Sequence, residues 1–492
     1  MKKYILSVDQ GTTSSRAILF DHNGHVCSMA QREVECLFPK PGWVEADAIG
    51  IWVSVIDVVN EVLVKANITM DSVLSIGITN QRETSIVWDK ATGMPVYHAV
   101  VWQSRQSSDI CDNFANKKIF IHEKTGLLIN PYFSASKIRF ILDHIPDGQK
   151  RAERGELLFG TVDSWLIYKM TKGQVHATDV SNASRTMLYN IFKNEWDADL
   201  LKMFNVPACM LPKVLPSSFD YGAATFFSND VHICGVAGDQ QAALFGQTCY
   251  DVGESKNTYG TGCFMLLNTG SEPVLSKNGL LTTIAWQIGD KVTYALEGSV
   301  FVGGAVVQWL RDQMRLIRDA AESERYALEV KDTNGMYFVP AFVGLGTPYW
   351  DDDARGSAFG ITRGTNKSHF IRACLEAIAY QCKDVFEVMK NETHHELKNL
   401  KVDGGATKNK FLMQFQSDIL HTEIKLPMCL ETTALGVAYL AGLASGFYKD
   451  IDEIRSIHSY QAIYTPTMER DEVETKYSGW KNAVESTRTF KQ

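Results

Sequence analysis

The run Asp9-Gln10-Gly11-Thr12-Thr13-Ser14-Ser15-Arg16 sits between two apolar, strand-like segments, residues 4–8 and 17–20. This pattern predicts a hairpin with a polar tip. Gly11 lets backbone approach an anion closely, and the hydroxyls of Thr12, Thr13 and Ser14 add donors. Arg16 supplies a cation, while Asp9 supplies a carboxylate suited to the shell of a magnesium ion. The same residue types also make an ordinary strand-turn-strand, so the tip alone leaves both readings open. A second polar Gly/Thr turn, Lys256 to Gly262, enters another apolar strand at 263–267. Two such turns, roughly half a chain apart, predict two similar domains that each present one hairpin to a shared cleft. The interruption at 246–253 places the boundary so that residues 1–247 and 248–492 form the two domains.

At 492 residues the chain exceeds one ordinary core, which agrees with two large domains. Val- and Ile-rich runs alternate with amphipathic stretches, giving an α/β class. Residues 73–79, 97–101, 158–162 and 233–237 read as strands. Asp47 is expected to cap a helix whose inward face is Ile51, Trp52, Val55, Val59, Val62 and Leu63. Ser368 is expected to cap another, with Ile371, Leu375, Ile378 and Phe386 inward.

Lys plus Arg number 49 against 57 Asp plus Glu, and no strongly basic run occurs, so a nucleic-acid surface is not expected. Ten cysteines lie scattered without CxxC or metal-type spacing and read as small buried hydrophobes of a reducing cytoplasm. The charged start Met1-Lys2-Lys3 is followed by too short an apolar run for a secretion signal. The most apolar helical stretch, 433–444, falls short of the ~20 residues that span a bilayer, so no membrane insertion is expected.

Three segments carry candidate chemistry. Asp239, in Gly238-Asp239-Gln240-Gln241, ends an apolar strand and precedes a helix; it suits a general base that accepts a hydroxyl proton, or a plain N-cap. Arg82 and Glu83 follow a strand directly, where α/β proteins deliver ligand contacts. Arg82 can donate to alcohol oxygens and Glu83 can accept from their hydrogens, or the two form a surface ion pair. The third, Val402-Asp403-Gly404-Gly405-Ala406 leading to Asn409, opens a helix and suits either a nucleoside contact or a tight turn. Trp102 and Tyr132 are aromatics beside polar groups, fit for pocket or core. No GxxxxGK[ST] loop, GxSxG elbow or His/Cys ligand cluster occurs, so P-loop transfer, acyl transfer and metal-dependent hydrolysis have no support.

The ordered set DQGTTSSR, NQRET, GDQQAALFGQ, NTYGTGCFML, GGAVVQWLRD, VPAFVGLGTPYWD and VDGGA followed by Asn409 resembles the glycerol kinases, within the carbohydrate kinases of the actin-like ATPase superfamily. The resemblance runs from about Tyr4 to about Gly446. It implies two ribonuclease-H-like domains with a deep interdomain cleft. ATP would meet Thr12, Thr13, Ser14 and Arg16 on one side, and Thr261, Gly304, Gln308, Gly405 and Asn409 on the other. Glycerol would be held by Arg82, Glu83, Tyr132, Asp239 and Gln240, with Trp102 and Phe264 against its carbons. Asp239 would be the general base, and Asp9 with Asp239 would place Mg2+. A homodimer or homotetramer is implied as well.

Two positions depart from the family pattern: Phe140 stands where a tryptophan is usual, and Ala358 where a larger aliphatic is. The loop 223–230 has no histidine for a phosphocarrier protein and no Gly/Arg cluster for fructose bisphosphate, so both controls are expected to be absent or altered. His232, just beyond it, reads as structural. Two other readings stand beside this one: a kinase for another polyol or ketose, and a non-metabolic actin-like ATPase.

Overall fold

A computed structural model describes residues 3–393 and 397–490. Met1 and Lys2, part of the charged start, lie outside the described residues. The N-terminal sheet has five strands in the order His232–Gly238, Val73–Asn80, Tyr4–Gln10, Ser14–Phe20, Val26–Glu33. The first three run parallel, and the last two fold back antiparallel. The second sheet has seven strands: Leu281–Ile288, Lys291–Val300, Cys263–Gly270, Ser255–Tyr259, Leu400–Asp403, Ile424–Pro427, Tyr460–Tyr464.

The sequence echo is a topological echo. In the first sheet the hairpin closes with Gln10 opposite Ser15, and Gly11 N donates to Ser14 O at 2.8 Å. In the second, Tyr259 faces Cys263, and Gly260 N donates to Gly262 O at 2.9 Å. Each hairpin's leading strand lies parallel to a later strand, Val73–Asn80 in one case and Leu400–Asp403 in the other. The loops that leave those later strands, at 81–84 and 404–409, therefore emerge beside the hairpin tips.

Helix Ala48–Ala66 begins as expected, with the Asp47 carboxylate accepting from Ile49 N at 2.9 Å. Ile51, Trp52, Val55, Val59 and Val62 are buried with Val58, whereas Leu63 is only half buried. Three local readings need correction. Helix Lys367–Thr393 is capped by Asn366, whose Oδ1 accepts from Ser368 N at 2.9 Å and His369 N at 3.2 Å; Ser368 itself donates to Glu329. The run 97–101 contributes only Ala99–Val100 to a strand. The run 158–162 ends as strand Leu157–Gly160, because Thr161 turns the chain into helix Val162–Met170.

Helix Thr432–Ala444 lies against the N-terminal sheet. Ser7 Oγ donates to Ala434 O at 2.7 Å, and a Cβ at Gly77 or Gly235 would meet helix backbone at 2.4 Å or 2.5 Å. The same helix touches helix Asp239–Gly246 backbone to backbone: a Cβ on Gly436 would sit 1.9 Å from Ala242 O, and one on Gly246 would sit 2.0 Å from Thr432 O. Among the described residues, no helix is long and apolar enough to cross a membrane.

Candidate active site and nucleotide cleft

Asp239 is the first residue of its helix, directly after strand His232–Gly238. That strand pairs in parallel with Val73–Asn80, with Gly238 opposite Asn80, so Arg82 and Glu83 leave the sheet beside Asp239. Arg82 Nε lies 3.2 Å from Asp239 Oδ1. Gly238 permits this approach, since a Cβ there would fall 2.7 Å from Arg82 Cγ. Glu83 has φ +59°, a left-handed conformation costly for a side-chain-bearing residue and typical of functional sites. Ser134 and Ser85 hold it there, each donating a hydroxyl to Glu83 O, at 3.0 Å and 3.1 Å.

Arg82 and Glu83 do not form a surface pair. They belong to a buried network with Arg185 and Glu297, all four at most 3% exposed. Both Nη groups of Arg82 donate to Glu297, at 2.5 Å and 2.9 Å. Arg185 donates to Glu297 at 3.1 Å and to Glu83 at 2.6 Å. Two guanidinium and two carboxylate charges thus cancel where isolated ones would be costly. Burial pushes the Glu297 carboxyl up, but Arg185 and Arg82 outweigh it and bring it down to about 2. Burial raises Asp239 above its ordinary value, against the pull of Arg82 and Lys256. A carboxylate of raised affinity for protons suits a base.

Tyr132 is half buried and meets Trp102 edge-on at 5.5 Å between ring centres. Trp102 Nε1 donates to Thr12 Oγ1 at 2.9 Å, tying this aromatic wall to the tip of the first hairpin. Gln240 follows Asp239 and accepts from Lys256 Nζ. Phe264 is half buried on strand Cys263–Gly270.

On the other side, a cavity of about 550 Å³ is bordered by all five residues assigned to the second half of the nucleotide site: Thr261, Gly304, Gln308, Gly405 and Asn409. Arg311, Ser323, Glu324 and Lys408 add charged and polar groups to its lining. Gly404, at φ +93°, makes the turn behind Gly405, whose own α-carbon faces open space. Asn409 caps helix Lys410–Leu420 through its Oδ1, accepting from Leu412 N at 2.9 Å. Thr12, Thr13, Ser14 and Arg16 are not part of this cavity's lining. Thr13 is exposed at the hairpin tip, with Thr12 and Ser14 half buried. Arg16 is engaged by Glu431 at 3.1 Å and Gln31 at 3.0 Å.

Among the described residues, no group of three or more His, Cys, Asp or Glu could hold a metal alone. Burial raises Asp9 to about 7, opposed by Arg16, with Asp239 and Glu431 adding to the rise. Carboxylates such as Asp9 and Asp239 would suit an ion whose remaining ligands are phosphate oxygens and water, the usual arrangement for magnesium.

Arg185, Glu297 and Lys256 escape the sequence reading. The first two stand in no motif, while Lys256 opens the second hairpin segment with nothing local to single it out.

Residues 4–246 match the N-terminal domain, and residues 255–445 the C-terminal domain, of the FGGY family of carbohydrate kinases. The chain belongs to this family. Across their full lengths, it is 57% identical to the glycerol kinases of Bacillus cereus strain G9842 and Bacillus thuringiensis strain Al Hakam. The crystal structure of Plasmodium falciparum glycerol kinase with ADP is similar to it at TM-score 0.93 and 37% identity, covering 99% of each chain. Gluconate kinase from Lactobacillus acidophilus shares the fold at TM-score 0.87 and 22% identity, covering 98% of this chain and 97% of its own. The fold is that of the FGGY carbohydrate kinases: two sheet-rich α/β domains of the actin-like ATPase type.

Proposed function

We infer that this FGGY kinase phosphorylates glycerol with ATP, giving sn-glycerol 3-phosphate and ADP. The observation that carries this reading is the Asp239 carboxylate at its helix start, gripped by Arg82 beside Glu83, in a chain 57% identical to glycerol kinases over its full length. As the terminal hydroxyl oxygen bonds to the γ-phosphorus, its proton passes to Asp239 and the bond to the β-γ bridging oxygen breaks, releasing ADP. Little covalent help is needed, so positioning and charge neutralisation carry most of the rate.

Arg82 and Glu83, held rigid by Arg185 and Glu297, orient the triol with Gln240 and Tyr132. An alcohol lacking a hydroxyl would leave buried partners unpaired, which is how such a site rejects analogues. Trp102 and Phe264 would cover the carbon backbone. Thr12, Thr13, Ser14 and Arg16 would take the phosphates from one side and Thr261 from the other, with adenosine in the cavity at Gly304, Gln308, Gly405 and Asn409. Asp9 and Asp239 would hold Mg2+, which would supply charge neutralisation for the phosphates. The buried alcohol-binding cluster speaks against a non-metabolic ATPase, which needs no such pocket.

The domains divide at 247/248, the assembly is a homodimer or homotetramer, and ten unpaired thiols suit a reducing cytoplasm. Control by phosphocarrier protein or fructose bisphosphate is absent or altered; His232 at the strand start faces Asp220 at 2.8 Å. A coupled ADP-release assay with glycerol, dihydroxyacetone, xylulose and gluconate tests the substrate, and negligible glycerol turnover rejects it. Asp239→Asn should lower kcat by about 10²–10⁴-fold while leaving ADP binding by calorimetry largely intact. Retained turnover in that variant would refute the base.

A further inference from the structure

Lys256 is assigned no substrate contact above, yet it is fully buried and reaches from the second sheet to the residue beside Asp239. Its Nζ donates to Gln240 Oε1 and, at 2.9 Å, to Thr258 Oγ1. An ammonium only donates, so the amide it meets can offer only its oxygen. The Gln240 side chain is thereby fixed in one of its two orientations. Its Nε2 donates to no described residue, and Gln240 is half exposed. Without that cation, the amide could turn over at little cost and present an acceptor in place of two donors.

We propose that Lys256 is a positioning residue for substrate selectivity: it locks the Gln240 amide so that its NH2 group faces a hydroxyl oxygen of the bound polyol. The inference rests on the glycerol reading, in which Gln240 borders the triol. Lys256 itself touches no substrate. A merely structural role, as a buried countercharge for Asp239 and Asp403, would lower stability or overall rate without changing which alcohols are preferred.

The test is a set of kcat/KM ratios, glycerol over propane-1,2-diol and glycerol over propane-1,3-diol, for the full chain and three variants. In Lys256→Met, at least one ratio should fall roughly tenfold, with glycerol KM rising more than kcat falls. Lys256→Arg, which still offers only donors to Oε1, should recover most of that ratio. Gln240→Glu keeps an acceptor towards Lys256 but loses the donor, so it should show the same collapse, and Lys256→Gln takes the place of Lys256→Met if that variant does not fold. Unchanged ratios in the folded uncharged Lys256 variant would overturn the proposal, and so would unchanged ratios in Gln240→Glu. A wild-type chain that turns over no glycerol would instead sink the function on which it rests.

Discussion

Glu297 stands between two arginines with no solvent contact, and its carboxyl is held at about 2. Its ordinary value is 4.5, so the folded state binds its proton less readily than the unfolded one. The stability it contributes is present above 4.5 and is lost as pH falls from 4.5 through 2. Glu297→Gln should flatten that part of the pH dependence in thermal melts. At neutral pH the same variant leaves a buried guanidinium uncompensated, at a cost of about 3–5 kcal/mol by urea denaturation. Its kcat/KM for glycerol should fall too, because Arg82 loses the partner that aims it at Asp239. Arg82, Glu83 and Asp239 stand out in sequence because each comes just after the end of an apolar strand. Arg185 and Glu297 do not, since only long-range packing brings them to Arg82 and Glu83.

At the level of elements, hairpins and caps follow local rules and so read well, within limits. Asp47, Asn409 and both polar turns form as their residue types dictate. The cap of helix Lys367–Thr393 shows the limit: Asn366 and Ser368 are both good capping residues, and backbone geometry chooses the former. Asn366→Ala should therefore cost about 1 kcal/mol in urea denaturation. The run 97–101 is apolar enough for a strand, yet only Ala99–Val100 finds an edge to pair with, at Glu45–Ala46. Hydrophobicity reports burial, whereas strand length depends on a neighbour that the local sequence does not name.

Over the whole molecule, the division into two halves is visible as a repeated hairpin, but the packing between them is not. Gly436 and Gly246 carry helix Thr432–Ala444 against helix Asp239–Gly246 with no side chain between. Gly436→Ala would drive a methyl into the Ala242 carbonyl, which as backbone cannot swing aside. That substitution should destabilise by about 1–3 kcal/mol and shift helix Asp239–Gly246, lowering the melting temperature and glycerol turnover together.

The placement of helix Thr432–Ala444 also bears on dissection. Contiguous sequence and contiguous structure part company here, because a segment far along the chain seals the floor of the first sheet through Ser7, Gly77 and Gly235. A fragment ending at residue 247 would leave that glycine-lined groove open to water. Expressed alone, it should aggregate, and co-expression with residues 248–492 should return it to solution. The first sheet of the kinase is thus covered only once residues 432–444 have been made.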